Sequence, residues 1–109
     1  MPSRRKMSVT HDAAAHGFSK RHQTAGIVWE GNFPSNVHQA GNYGIGHATT
    51  VALRHQDETV FVGHLRLAAD GSWVGTIVGF KNPDAIEHAG TEVGDEVAFH
   101  GDHVFTATR

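Results

Sequence analysis

From Thr59 to Phe80, two runs rich in β-branched and aromatic residues flank the dipeptide Asp70-Gly71. Read with a period of two, such runs mark half-buried β-strands. Asp-Gly between them is a strong hairpin signal, because a type I′ turn needs positive φ at both central positions. The pattern predicts strands over 59–67 and 72–80. In the first, Phe61, Leu65 and Leu67 share a face with Gly63 and read as core, while Val60, Val62, His64 and Arg66 make a mixed opposite face. In the second, Gly75 and Gly79 alternate with Val74, Thr76 and Val78, which points to curvature or to close approach of another backbone.

Shorter β-forming runs predict strands over 24–30, 45–55, 93–99 and from His103 to Thr108. A long Gly/Asn-rich loop from Gly31 to Gly46 follows the first of them. Asn82 to Gly90 reads as one short helix, with Asn82 as N-cap, Pro83 at the first helical position and Gly90 past the last turn. Gly101-Asp102 suits a type II′ hairpin turn between the last two strands. Residues 1–23 show no sustained period beyond a single turn at Asp12–His16, with Thr10 as cap and Gly17 as terminator. The expected architecture is mainly all-β. A small antiparallel five- to six-stranded bent sheet or barrel, with one short helix, forms a single domain over 24–109 behind an irregular basic N-terminal arm over 1–23. Closure or strong bending is expected because flat edges would stay unpaired.

A chain of 109 residues has room for one core. Cysteine is absent, which removes disulfides, thiolate nucleophiles and sulfur-based zinc sites. No run approaches the roughly 20 apolar residues of a membrane helix, and polar Ser8, Thr10, His11 and Asp12 follow Arg4-Arg5-Lys6 where a signal peptide is apolar. The cytoplasm is the expected compartment, with no membrane contact. The net charge of -2 conceals an asymmetry: residues 1–22 carry Arg4, Arg5, Lys6, Lys20 and Arg21 against Asp12 alone, a local +4, and the remainder is locally -6. A basic arm reads as a contact for nucleic acid or an acidic protein surface, and equally as a solvated tail.

Ten histidines raise the question of metal. Across the expected Gly101-Asp102 turn, His100 and His103 stand opposite one another, and His64, His88, Glu96 or Asp102 would have to supply further ligands. His47, His55 and His64 lie on or beside strands, where hydrogen-bonded sheet histidines are the simpler reading. Ser35 and Ser72 sit in turns outside any nucleophile-elbow pattern. The carboxylate pairs Asp57-Glu58 and Asp95-Glu96 adjoin turns and point to opposite faces. Gly41 to Gly46 lacks the Lys-Ser/Thr of a phosphate loop. Aromatics such as Trp29, Phe61 and Trp73 read mainly as core in so acidic a body.

Val60 to Leu65, Asp70-Gly71, Gly75-Thr76-Ile77, Asn82-Pro83, Gly94-Asp95-Glu96-Val97 and His103-Val104-Phe105 follow one another in an order that resembles the bacterial domain of unknown function family 2314. The likeness spans residues 60–105. Thr106 and Ala107 stand where that family usually closes on Asp-Trp. The resemblance implies a compact β-rich fold and no established activity.

With no catalytic or cofactor set, the expected function is a non-enzymatic protein-binding module that docks on a larger protein or nucleoprotein assembly, as a small inhibitor or an assembly-decorating protein. Asn32, Phe33, Asn36, Asn42, Tyr43, Lys81 and Asn82 are its expected loop contacts. Arg4, Arg5, Lys6, Lys20 and Arg21 are its arm contacts. The alternatives are a nucleic-acid-binding barrel using the same arm, and a metal-binding protein using His100 and His103.

Overall fold

The computed structural model describes residues 9–22 and 24–109. Arg4, Arg5 and Lys6 lie outside them. Among the described residues, nine strands form a seven-stranded sheet and a separate two-stranded ribbon. The strands are β1 (Thr10–Asp12), β2 (Val28–Glu30), β3 (Thr50–His55), β4 (Glu58–Leu67), β5 (Trp73–Phe80), β6 (Glu87–His88), β7 (Thr91–Glu92), β8 (Glu96–Phe99) and β9 (Thr106–Thr108). The main sheet runs β1-β8-β5-β4-β3-β9-β2.

The sheet is mainly antiparallel, and its two outermost pairings, β1 with β8 and β2 with β9, are parallel. It is open, which corrects the barrel alternative and the count of five to six strands. Closure is not needed because other elements cover the core face: helix α1 (Ser35–Gln39) contributes Val37 and a 3-10 helix at Gly41–His47 contributes Ile45 to the same apolar cluster as Leu53, Val60, Ile77 and Phe99. The expected loop over 31–46 is thus largely helical.

Before His64 the faces of β4 are the reverse of the expectation, whereas Leu65 packs against the core as expected. Val60 and Val62 are fully buried, and they pair with the buried Leu53 and Val51 of β3. Two register shifts in the β4–β5 pair, at Phe61/Val62 and Gly63/Arg66, break the simple alternation. At the second, His64 takes a positive φ of 53° and absorbs the extra residue. The hairpin itself forms, with a different turn. Ala68 N–H donates to Ser72 O, only Gly71 of the two central residues has positive φ, and three residues make the loop.

The helix expected over 82–90 is replaced by an Asn82 turn and the β6–β7 ribbon, whose tight turn uses Ala89 and Gly90 with φ of 51° and 88°. A helix that short gains few propagating bonds, whereas the ribbon places the His88 ring against β3. The Gly101-Asp102 hairpin is also overturned: Gly101–His103 is a 3-10 turn, and β9 crosses over to pair with β3 and β2 rather than β8. With no side chain at Gly101, the Asn42 carboxamide packs against this turn.

The described part of the basic segment is packed on the body. β1 lines up with β8, Ala13 and Phe18 are buried, and Ser19 N–H donates to Arg54 O at 2.8 Å. The turn at Asp12–His16 forms and Gly17 ends it, but Asp12 Oδ1 caps the Ala14 N–H while Thr10 bonds Glu96.

Candidate functional site

Two places gather chemistry. The first is a groove of about 580 Å³ between the 3-10 helix, the β4–β5 hairpin and the Gly101 turn, lined by Asn42, Tyr43, Leu67, Trp73, His100 and Asp102 among others. Its shape follows from glycine. At Gly44 a Cβ would clash with the Val37 carbonyl and stand 2.8 Å from Val37 Cγ1, so only glycine lets the 3-10 helix close onto α1. At Gly46 a Cβ would lie 3.1 Å from the Trp73 ring. Closed in this way, the helix presents Tyr43 to solvent at 78 % exposure, beside Leu67 at 51 %.

A smaller pocket that shares His100 with this groove holds two acids, Asp12 and Asp70. Asp70 Oδ1 accepts hydrogen bonds from Ser72 Oγ (2.7 Å) and Ser72 N–H (3.0 Å), and these bonds, helped by nearby His100, hold its carboxyl below the ordinary range. Asp102 stands half-exposed, 3.8 Å from the Lys20 ammonium. Arg21 is committed to the groove wall: its guanidinium donates to Ala25 O and Gly101 O, both at 2.9 Å.

Behind the wall, His103 is 1 % exposed and burial pushes its imidazole pKa down. Its Nδ1 accepts the His100 N–H at 3.1 Å, so the neutral ring carries its proton on Nε2, which has no partner among the described residues. The His100 and His103 rings are 6.4 Å apart and joined through the backbone, not across a hairpin. Among the described residues, no group of three or more His, Asp or Glu side chains has the spacing to hold a metal ion.

The second place is a row of imidazoles. His11, His16, His55 and His88 stand in sequence, with ring centroids 5.2, 5.5 and 5.0 Å apart. Asp95 closes one end, its Oδ2 at 2.9 Å from His11 Nε2. The row joins the N-terminal segment, the end of β3, the ribbon and the loop before β8. Its position on β3 was open to inference, because His55 shares the period-two face of Val51 and Leu53.

The loop residues expected to bind together are dispersed. Asn42 and Tyr43 line the groove, whereas Lys81 lines a cleft on the opposite, open face of the sheet. Asn32 and Asn36 are exposed elsewhere, Asn82 is used in its own turn, and Phe33 is buried against Trp29 at 5.0 Å. Leu67, Trp73, His11 and His16 carry no local signal of a site, while His88 enters the sequence reading only as a candidate further metal ligand and His55 only as a sheet histidine. In comparisons with models of protein families, with curated proteins and with solved structures, the chain finds no match.

Proposed function

We propose that the chain is a non-enzymatic protein-binding module whose groove takes a short segment of a larger protein or assembly, apolar at its centre and bearing a lysine or arginine. The observation that carries this reading is the exposed Tyr43 over a groove floored by Trp73 and flanked by Leu67. Exposed tyrosine beside aliphatic and indole surface supplies contact area with little ordering entropy, the composition of interface anchors. Charge selects the occupant. Asp102 lines the groove with Lys20 3.8 Å from its carboxylate, Asp70 lines a smaller pocket that shares His100 with the groove, and no lysine or arginine is among the described lining residues.

Selection from a random displayed-peptide library tests it. Enriched peptides should combine a basic residue with an aromatic or aliphatic neighbour. By fluorescence anisotropy their affinity should fall at least tenfold in Tyr43→Ser and in Leu67→Asp, with thermal stability kept because both residues are exposed. Peptides without a basic residue, or peptides that bind both variants as well as the wild type, would sink the reading.

One observation favours a second reading, single-stranded nucleic acid on the open face of the sheet. Arg54 lies 4.5 Å above the Phe105 ring, and both residues line a cleft of about 440 Å³ with Phe61, Lys81 and Glu30. Cations beside aromatic faces suit stacked bases and phosphates. Oligonucleotide binding that weakens with salt and in Arg54→Ala would transfer the function there.

A further inference from the structure

We infer that the histidine row is a proton-operated latch that docks residues 13–19 on the body at neutral pH and releases them on acidification. It goes beyond the peptide-binding reading and does not depend on it. His55 Nε2 lies 3.1 Å from the His16 carbonyl oxygen, which can only accept, so Nε2 carries a proton. His16 Nε2 likewise donates to Ala89 O at 2.7 Å. His55 Nδ1 faces His88 Nε2 at 3.0 Å. One of these two nitrogens must donate and the other accept, so the bond survives the first added proton and cannot survive the second. Two N–H groups would then point at each other between neighbouring cations.

The surroundings offer that charge little at this end. His55 is buried, with Phe18 5.2 Å from its ring, and Phe80 lies 6.3 Å from His88. Beyond this pair the next cation in the making is His16, itself 5.5 Å from His55. At the other end the sign reverses. His11 faces the buried Asp95 carboxylate, and protonation strengthens that contact. Of the remaining acids on the packed elements, Asp12 Oδ1 accepts the Ala14 N–H, Glu96 bonds Thr10 and Arg66, and Glu87 and Glu92 face each other across the ribbon. Glu58 Oε1 accepts the Thr59 N–H beside the β3–β4 turn. Repulsion among His16, His55 and His88, set against the N–H to carbonyl bonds that hold His16 in place, therefore loosens the segment from the His16–Phe18 side while β1 stays attached through His11.

What the segment loses is definite: the His55 bond to the His16 carbonyl, the His16 bond to Ala89, and the Ser19 N–H bond to Arg54 O. Opening linked to one proton that the facing N–H groups exclude from the docked state rises by up to about tenfold per pH unit. Two linked protons steepen the rise to on the order of a hundredfold.

Amide hydrogen exchange of the full chain, corrected for intrinsic pH dependence, reads this directly. The Phe18 and Ser19 amides should gain at least about tenfold in opening between pH 7.5 and 5.5, while the Val60 and Val62 amides of β4 do not follow. His88→Gln supplies a side chain that can either donate to or accept from His55 Nδ1, and it should abolish most of the rise. Should His88→Gln fold poorly, His16→Gln removes the adjacent charge and should halve the logarithmic rise at least. A Phe18 and Ser19 response that is flat with pH, that persists unchanged in these variants, or that moves in step with β4 would overturn the latch. Peptide capture by the groove plays no part in this readout, so the two proposals fail separately.

Discussion

Substituting Gly44 with alanine tests how the groove is built. Its φ is not in the left-handed region, so the substitution carries no conformational penalty of that kind. The added methyl instead meets the Val37 carbonyl, Val37 Cγ1 at 2.8 Å and Trp29 Cη2 at 2.9 Å. The first is backbone of α1 and cannot swing away, so the two helical turns must separate by several tenths of an ångström. Overpacking of this kind costs about 1–3 kcal/mol. For a domain near this size that lowers Tm by roughly 4–20 °C. Circular dichroism melts measure it, and tryptophan emission should shift because Trp29 is displaced. Gly79→Ala is the matched control. Among the described residues no atom lies within 4 Å of its Cβ position, and its φ is not in the left-handed region, so it should gain about 0.4–1 kcal/mol by restricting the unfolded chain. An unchanged Tm in Gly44→Ala, or an equal loss in both variants, would refute the packing argument.

Three further outcomes are expected. His64→Gly should raise the urea midpoint, because relieving a left-handed non-glycine residue returns about 1–2 kcal/mol against about 0.5–1 kcal/mol for glycine's greater unfolded freedom; a lowered midpoint would count against strain at the bulge. His103 has a folded-state pKa below its ordinary 6.5, so the unfolded chain binds more protons and global stability falls as the pH drops below that value. His103→Phe should flatten this fall in urea titrations between pH 7 and 5, and an identical slope would show that another group causes it. Asp70→Ala should lower the neutral-pH midpoint by freeing the Ser72 donors, and the gap should narrow below pH 3.8 and close beneath the depressed folded value, since an acid of lowered pKa stabilises only while ionised. A gap constant with pH would exclude the charged bond as its source.

The central three strands were legible because local signals agree: period-two runs, an Asp-Gly loop and the polar turn after His55. Their facing was not, because a one-residue bulge at His64 inverts everything beyond it, and no residue type announces such a bulge when the strained position is not glycine. Asn82-Pro83 and Gly90 fit a helix as well as a pair of turns. Contact between His88 and His55 decides between them, and that contact belongs to tertiary structure. The same holds for the site. Tyr43 stood out as an aromatic in a glycine-rich stretch, but Leu67 and Trp73 join it only once the hairpin folds back. His11 and Asp95 are 84 residues apart in the chain, so their pairing has no local trace.

Both outer strands of the sheet come from the first 30 residues, and both pair with strands from the last 14: Thr10 with Glu96 and Val28 with Thr106. During synthesis, β1 and β2 emerge early and find no partner until β8 and β9 leave the ribosome. The central hairpins can form meanwhile, but docking of the two flanks waits for the C-terminal segment and closes loops of 86 and 78 residues. Once β8 and β9 have docked on β5 and β3, their outer edges stand bare until β1 and β2 add, and a second nascent chain can supply either strand in place of the first. Exchange of the N-terminal segment between copies is the characteristic error this topology invites, and a chain shortened at residue 23 would carry its bare β8 edge permanently.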